Sequence, residues 1–197
     1  MDNRVSQVLA FWFGELDASG MSAPAQHSLW FSKSAATDHT ITERFGHLLR
    51  SALAGELDHW ASDRQGLVAL IIVLDQFSRN IHRDSPQAFS GDNKALALAL
   101  GAIASNVHRQ LPTMHRVFLY LPLEHSEQLQ MQERCVALFE QLAAERDQDP
   151  RCADYLRYAV AHRDVIARFG RFPHRNALLG RASTEDEIQH LQTHGGF

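Results

Sequence analysis

From Gly66 to Leu74 the chain reads Gly-Leu-Val-Ala-Leu-Ile-Ile-Val-Leu, without a polar side chain. A run that is apolar on all sides has to be buried, either as a helix or as a strand. β-Branching at Val68, Ile71, Ile72 and Val73 favours the strand on propensity alone. Length decides for the helix. The pattern continues without a break into Asp75-Gln76-Phe77-Ser78-Arg79-Asn80-Ile81, about five helical turns in all, whereas strands usually stop after about six residues. This is the central helix of the expected fold.

The rest of the chain carries helical periodicity almost throughout. Val5, Val8, Leu9, Trp12 and Phe13 recur at three-to-four spacing and Gly14 follows as a stop. Turn-like residues from Glu15 to Pro24 lead to Leu29-Trp30-Phe31, read as an aromatic plug folded back over the core. Thr37 or Asp38 can cap a helix whose face is Ile41, Phe45, Leu48, Leu49 and Leu53, closed by Gly55. The alanine- and leucine-rich stretch Ala95 to Ala104, with Asp92 near its start, predicts a closely packed helix. Pro112 opens the next one, with a bend expected at Pro122. The pattern resumes through Leu129, Cys135, Val136, Leu138, Phe139 and Leu142. Asp149-Pro150 starts a helix that Gly170 ends, and Thr184 with Glu187 forms a capping box for a short last helix. No segment alternates apolar and polar residues between hairpin turns, so the class is all-α. At 197 residues and 45% hydrophobic, one domain spanning 1–197 is expected.

Net charge and cysteine content narrow the function classes. A formal charge of −4 gives no global pull toward nucleic acid or an anionic membrane. Two cysteines, Cys135 and Cys152, are too few for a disulfide scaffold and read as reduced thiols of a soluble, cytoplasmic protein. The start of the chain reaches its aromatics without the long apolar run of a signal peptide.

Three polar groups fall where the helical pattern predicts burial or half-burial. Asp75, Arg79 and Asn80 end the most hydrophobic helix, with Asp75 and Arg79 one turn apart. Glu124, His125 and Glu127 follow the Pro122 bend, where either acid can orient the histidine or act as an acid/base group; a solvated helix start explains the same acids. His162 lies among apolar residues, where a hydrogen-bonded core histidine is the ordinary outcome, and Asp164 and Arg168 form an i,i+4 pair. Beyond it, Arg168 to Asn176, running on to Gly180-Arg181, gathers arginines, His174 and Asn176 around two phenylalanines, with Gly170 and Pro173 to bend the backbone. Arg171, His174, Arg175 and Asn176 offer directed donors to a phosphate or carboxylate, or to helix-end carbonyls and acids that lock the loop.

Phe11-Trp12-Phe13-Gly14, Trp30-Phe31 with Lys33, Leu74 through Asn80, Tyr120 through Glu127 and Arg168 through Asn176 together resemble the bacterial DUF924 family, over nearly the whole chain and in the family's motif order. The resemblance implies an all-α fold of stacked antiparallel helix pairs, a tetratricopeptide-repeat-like bundle, and no known activity. The family's usual proline is Ser78 here, which lets the central helix run on through Arg79 with its backbone donor intact.

A helix-pair solenoid would bring the three groups to one concave surface. The expected site then has Glu124, His125, Glu127 and His174 as acid/base residues. Asp75, Arg79, Asn80, His162, Arg171, Arg175 and Asn176 are its binding residues. No metal site is expected: there is no His-Glu-x-x-His, and His190-x-x-x-His194 lies in a frayed-looking terminus; the residues name no cofactor. The expected ligand is a small anionic molecule; the alternative is a scaffold that binds a peptide or protein partner.

Overall fold

In the computed structural model, which describes residues 2–147 and 149–196, every regular element among the described residues is helical, apart from one isolated bridge between Leu16 and Ser22. The helices gather into two compact units, one of Met1–Arg83 with Gln87–Pro122 and one of Asp84–Pro86 with Leu123–Phe197.

Unit 1 begins with α1 (Asn3–Phe13), capped by Asp2, whose carboxylate accepts from the Arg4 N–H. Arg4 and the Trp60 indole N–H also bind that carboxylate, and the Arg4 hydrogen bond holds it well below the usual carboxylate range. The periodic residues Val5, Val8, Trp12 and Phe13 are buried, as their spacing predicts. In α2 (Gln26–Phe31) the aromatic plug is narrower than expected. Trp30 donates its indole N–H to Trp12 O at 2.8 Å and packs on Phe118, whereas Phe31 is 51% exposed. Helix α3 (Ala35–Leu53) starts earlier than read from Thr37 or Asp38: Ser34 is the cap and accepts from the Thr37 N–H.

The central helix forms, but not as one α-helix. Helix α4 (Arg64–Ile71) passes into a π-helical stretch, Ile72–Phe77, before α5 (Ser78–Ile81). Hydrophobic pattern does not distinguish an i→i+5 turn from an i→i+4 turn, so this widening left no mark in the sequence. Two glycines let other backbone lie against this element. A Cβ on Gly66 would sit 2.2 Å from Trp60 O, and one on Gly91 would sit 2.2 Å from Leu74 O. The Ser78 hydroxyl lies 2.7 Å from Leu74 O and 2.9 Å from Ala88 O, so the residue standing in for proline ties the π turn to the segment before α6 (Asp92–Ala104). Phe45 stacks on Phe77 at 4.8 Å between centroids, and Phe11, Trp12 and Phe118 extend this aromatic core.

Helix α7 (Thr113–Glu124) contains Pro122 and runs on past it, so the expected interruption falls two residues later. One missing N–H near a helix end removes a single hydrogen bond, which the last turn tolerates. In unit 2, α8 (Leu129–Glu145) and α9 (Pro150–Phe169) pack against each other, burying Cys135, Leu138, Phe139, Leu142, Cys152, Tyr155 and Ala159. Asp149 caps α9 with Pro150 in its first turn, and Gly170 ends it at φ 69°. The capping box of Thr184 and Glu187 opens α10 (Glu185–His194). No helix among the described residues is long and apolar enough to cross a membrane.

Candidate functional site

The arginine-rich segment of unit 2 divides into two kinds of contact. Arg171 donates from Nε and Nη2 to the two carboxylate oxygens of Glu187, at 2.6 and 2.9 Å, and from Nη2 to Ala182 O. Asn176 also donates to Glu187, whose carboxylate closes the capping box as well. The Arg171 hydrogen bonds pull the Glu187 pKa down to about 2 against the effect of burial. Arg181 grips Glu127 in the same forked way, at 2.7 and 2.9 Å, and donates to Asn176 Oδ1 and Phe172 O. Glu127 accepts the Phe172 N–H as well. Burial would raise the Glu127 pKa, but the Arg181 hydrogen bonds outweigh it and hold the group lowered. Arg171 and Arg181 therefore lock the loop against acids, the second of the two roles read for this segment. Arg168 lies over the Phe169 ring, while Asp164 pairs with its neighbour Arg163 rather than with Arg168.

A second set surrounds Phe172, which is fully buried. The His162 ring meets Phe172 edge-on at 5.7 Å, the His174 ring lies at 5.5 Å, and the Arg175 guanidinium sits 4.4 Å over its face. Arg175, itself buried, donates to His125 O. His162 and Glu124 are both buried, with His162 Nδ1 3.4 Å from Glu124 Oε1 and 2.8 Å from Tyr158 O. A carbonyl only accepts, so Nδ1 carries the proton and Nε2 is the basic nitrogen of the ring. Burial pushes the His162 pKa down to about 3, and His125, His174 and Arg175 push the same way. Burial likewise takes His174 down to about 4, followed by the charge of Arg175. These imidazoles are neutral at pH 7 chiefly because burial disfavours their charged form, and nearby Arg175 adds to the effect. Cys135, also buried, has its thiol pushed well up by burial and by the Glu124 charge, which makes it a packing residue rather than a nucleophile.

Gln132 fixes the approach of Glu124. Its amide nitrogen lies 2.6 Å from both Glu124 O and Ser126 O, closing the end of α7. Sequence reading passed over Gln132, although a polar residue three and four positions before Cys135 and Val136 shares their inward face.

Asp75, Arg79 and Asn80 belong to unit 1 and find their partners there. Asp75 is completely buried, with Oδ1 3.1 Å from Arg79 Nη1 and Oδ2 accepting from Gln76. Arg79 also donates to Asp75 O and forks onto Asp92 at 2.9 and 3.0 Å. Asn80 donates to Asp38, which Arg83 binds as well. Asp92 and Asp38 were read only as helix-start acids. Among the described residues no group of three or more His, Cys, Asp or Glu is placed to hold a metal ion.

A family model described as a bacterial protein of unknown function, DUF924, matches residues 8–195. The chain belongs to the DUF924 family. It is similar in structure to a protein of unknown function from Agrobacterium tumefaciens, ATU0120, with a TM-score of 0.83 and 33% identity over 97% of this chain and 98% of that one. Among curated proteins, none matches. The DUF924 match takes in every motif on which the resemblance rests, from Phe11 to Asn176, and ends past both acids that pair with the arginines, Glu127 and Glu187. Within this DUF924 chain the five motifs thus contribute in two ways: Phe11 to Phe13, Trp30 and Phe77 build the aromatic core of unit 1, and Glu124 to Glu127 with Phe172 to Asn176 build the cluster of unit 2.

Proposed function

We propose that the Glu124, His162, His174 and Arg175 cluster binds a small anionic molecule and transfers a proton to or from it. The observation that carries this reading is the buried Glu124 and His162 pair, in which Nδ1 is committed as a donor and Nε2 is the basic nitrogen of the ring. The positive charge of Arg175 beside His174 and over Phe172 supports the anion. Arg171 holds Glu187 and Arg181 holds Glu127, each through two hydrogen bonds, and these pairs set the loop. An anion beside Arg175 offsets the positive potential that, together with burial, keeps His174 and His162 neutral. Binding and proton uptake are then linked, which is what general acid/base chemistry requires of a base held neutral at rest. In this reading Glu127 and Arg171 shape the loop, and His125 supplies its carbonyl to Arg175.

Inorganic phosphate tests the reading directly. Titrated into protein carrying 13C-labelled histidine, it should move the ring signals of His174 and His162 and raise the pH at which they titrate. His174→Gln should weaken phosphate binding by about tenfold, the loss of one charge-assisted hydrogen bond. Ring signals of unit 2 that stay fixed over the whole titration would refute it.

A further inference from the structure

The histidine pair read from the sequence as lying in a frayed-looking terminus falls on an anchored helix. Helix α10 runs through His194. Thr184 and Glu187 close its first turn, Arg171 and Asn176 hold Glu187, and the His190 ring packs on Phe169 at 5.1 Å between centroids. His190 and His194 stand one turn apart on the same side of the helix, their rings stacked at 4.8 Å between centroids and 21° between planes. His194 is exposed and His190 half-buried. Two imidazoles at i and i+4 on a helix are spaced to reach one ion. Hydrogen bonding sorts the ring nitrogens. Nδ1 of His194 lies 3.3 Å from His190 O. A carbonyl only accepts, so this nitrogen carries the proton and Nε2 keeps the lone pair. Nδ1 of His190 is buried without a hydrogen-bond partner among the described residues, which leaves Nε2 as the nitrogen of that ring that meets solvent.

The surroundings of the pair choose the class of cation. It lies in the last two turns of α10, where the helix dipole favours positive charge, and Asp186 stands one turn before His190. Arg168 opposes a cation, acting on His190 with its own charge. Ca2+ and Mg2+ require oxygen ligands and are held largely by charge, so they gain little here. An ion that bonds to imidazole nitrogen gains two ligands of the type it prefers. We propose that His190 and His194 form a surface chelate for a divalent transition-metal ion, Zn2+ or, more tightly, Cu2+, with water at the remaining positions. No third protein ligand is placed there among the described residues, so the ion exchanges with solvent. It bridges the last turns of α10 and stabilises the helix that carries Glu187. The chelate shares no residue with the Glu124 and His162 cluster and stands independently of the reading given for it.

Zinc chloride titrated into the full chain at pH 7, after treatment with a chelator, tests the proposal by calorimetry, with 13C-labelled histidine showing which rings respond. The first equivalent should bind one to one and move the His190 and His194 signals together. His190→Gln and His194→Gln should each weaken that phase by about tenfold or more, the loss of one of two ligands. Gln192→His combined with His194→Gln keeps the number of histidines but moves one off the shared face, so it should not restore binding. These positions are exposed or half-buried, and far-UV circular dichroism checks that α10 is retained. A native chain without a one-to-one phase, a phase unchanged in both single variants, or one that Gln192→His restores would each overturn the proposal.

Discussion

Asp75 in unit 1 and Glu124 in unit 2 are both buried acids near the end of an apolar helical run, yet they face partners of different kinds. Asp75 meets Arg79, a permanent cation that also forks onto Asp92, and the remaining Asp75 oxygen takes the Gln76 amide. Glu124 meets His162, an imidazole that burial keeps neutral down to about pH 3. The first arrangement is closed: its charges are matched in every protonation state open to it near neutral pH. The second can still accept a proton. Burial of a carboxylate therefore says little about function until the charge type of its partner is known.

The amide replacements Asp75→Asn and Glu124→Gln bring out the largest difference. Asp75→Asn leaves Arg79 charged and turns an amide N–H₂ toward other donors, so it should cost about 3 kcal/mol. Glu124→Gln keeps an acceptor for a neutral imidazole and should cost about 1 kcal/mol. Urea unfolding midpoints compare them, and equal losses would dissolve the distinction between the two acids. The next effect is one of pH. Unfolded, His162 binds a proton near 6.5; folded, it does so only near 3. Between those values the unfolded chain holds the extra proton, so stability falls as pH drops below about 6.5. The slope reaches about 1.4 kcal/mol per pH unit for one such group. His162→Gln should remove that share of the slope between pH 6.5 and 4.5, measured by urea midpoints, whereas Asp75→Asn should leave the histidine share in place. The smallest effect belongs to Gly101 in α6, where an added Cβ meets nothing within 4 Å. Gly101→Ala should raise stability by about 0.5–1 kcal/mol through helix propensity, visible as a higher thermal midpoint. A loss there would mean that unit 1 is more tightly constrained than the contacts of Gly66 and Gly91 imply.

Much of the local structure was legible. Spacing placed the buried faces of α1, α3, α8 and α9, except that Leu53 at the end of α3 is exposed, and Asp149-Pro150, Gly170 and the Thr184/Glu187 box marked helix ends for the reasons that favour those residues there. The cap of α3 was misread because Ser34, Thr37 and Asp38 are all acceptable caps and only backbone geometry chooses among them. The pairing of Asp164 was misread for a related reason: i,i+4 spacing permits an ion pair on an exposed helix face but adds too little energy to enforce it.

By itself, then, the sequence determined that this chain is all-α, which faces are apolar and which side chains are too polar to be buried without partners. Those properties depend on neighbours one or two turns away, and such neighbours are always present. Only the tertiary structure decided which partners those side chains take: Glu187 and Glu127 for two arginines, His162 for Glu124, and Arg79 and Asp92 around Asp75. Each of those contacts, the Asp75 and Arg79 turn aside, joins residues more than two helical turns apart in the chain. Their energies depend on distance, burial and the charge state of the partner, none of which is fixed before the helices pack.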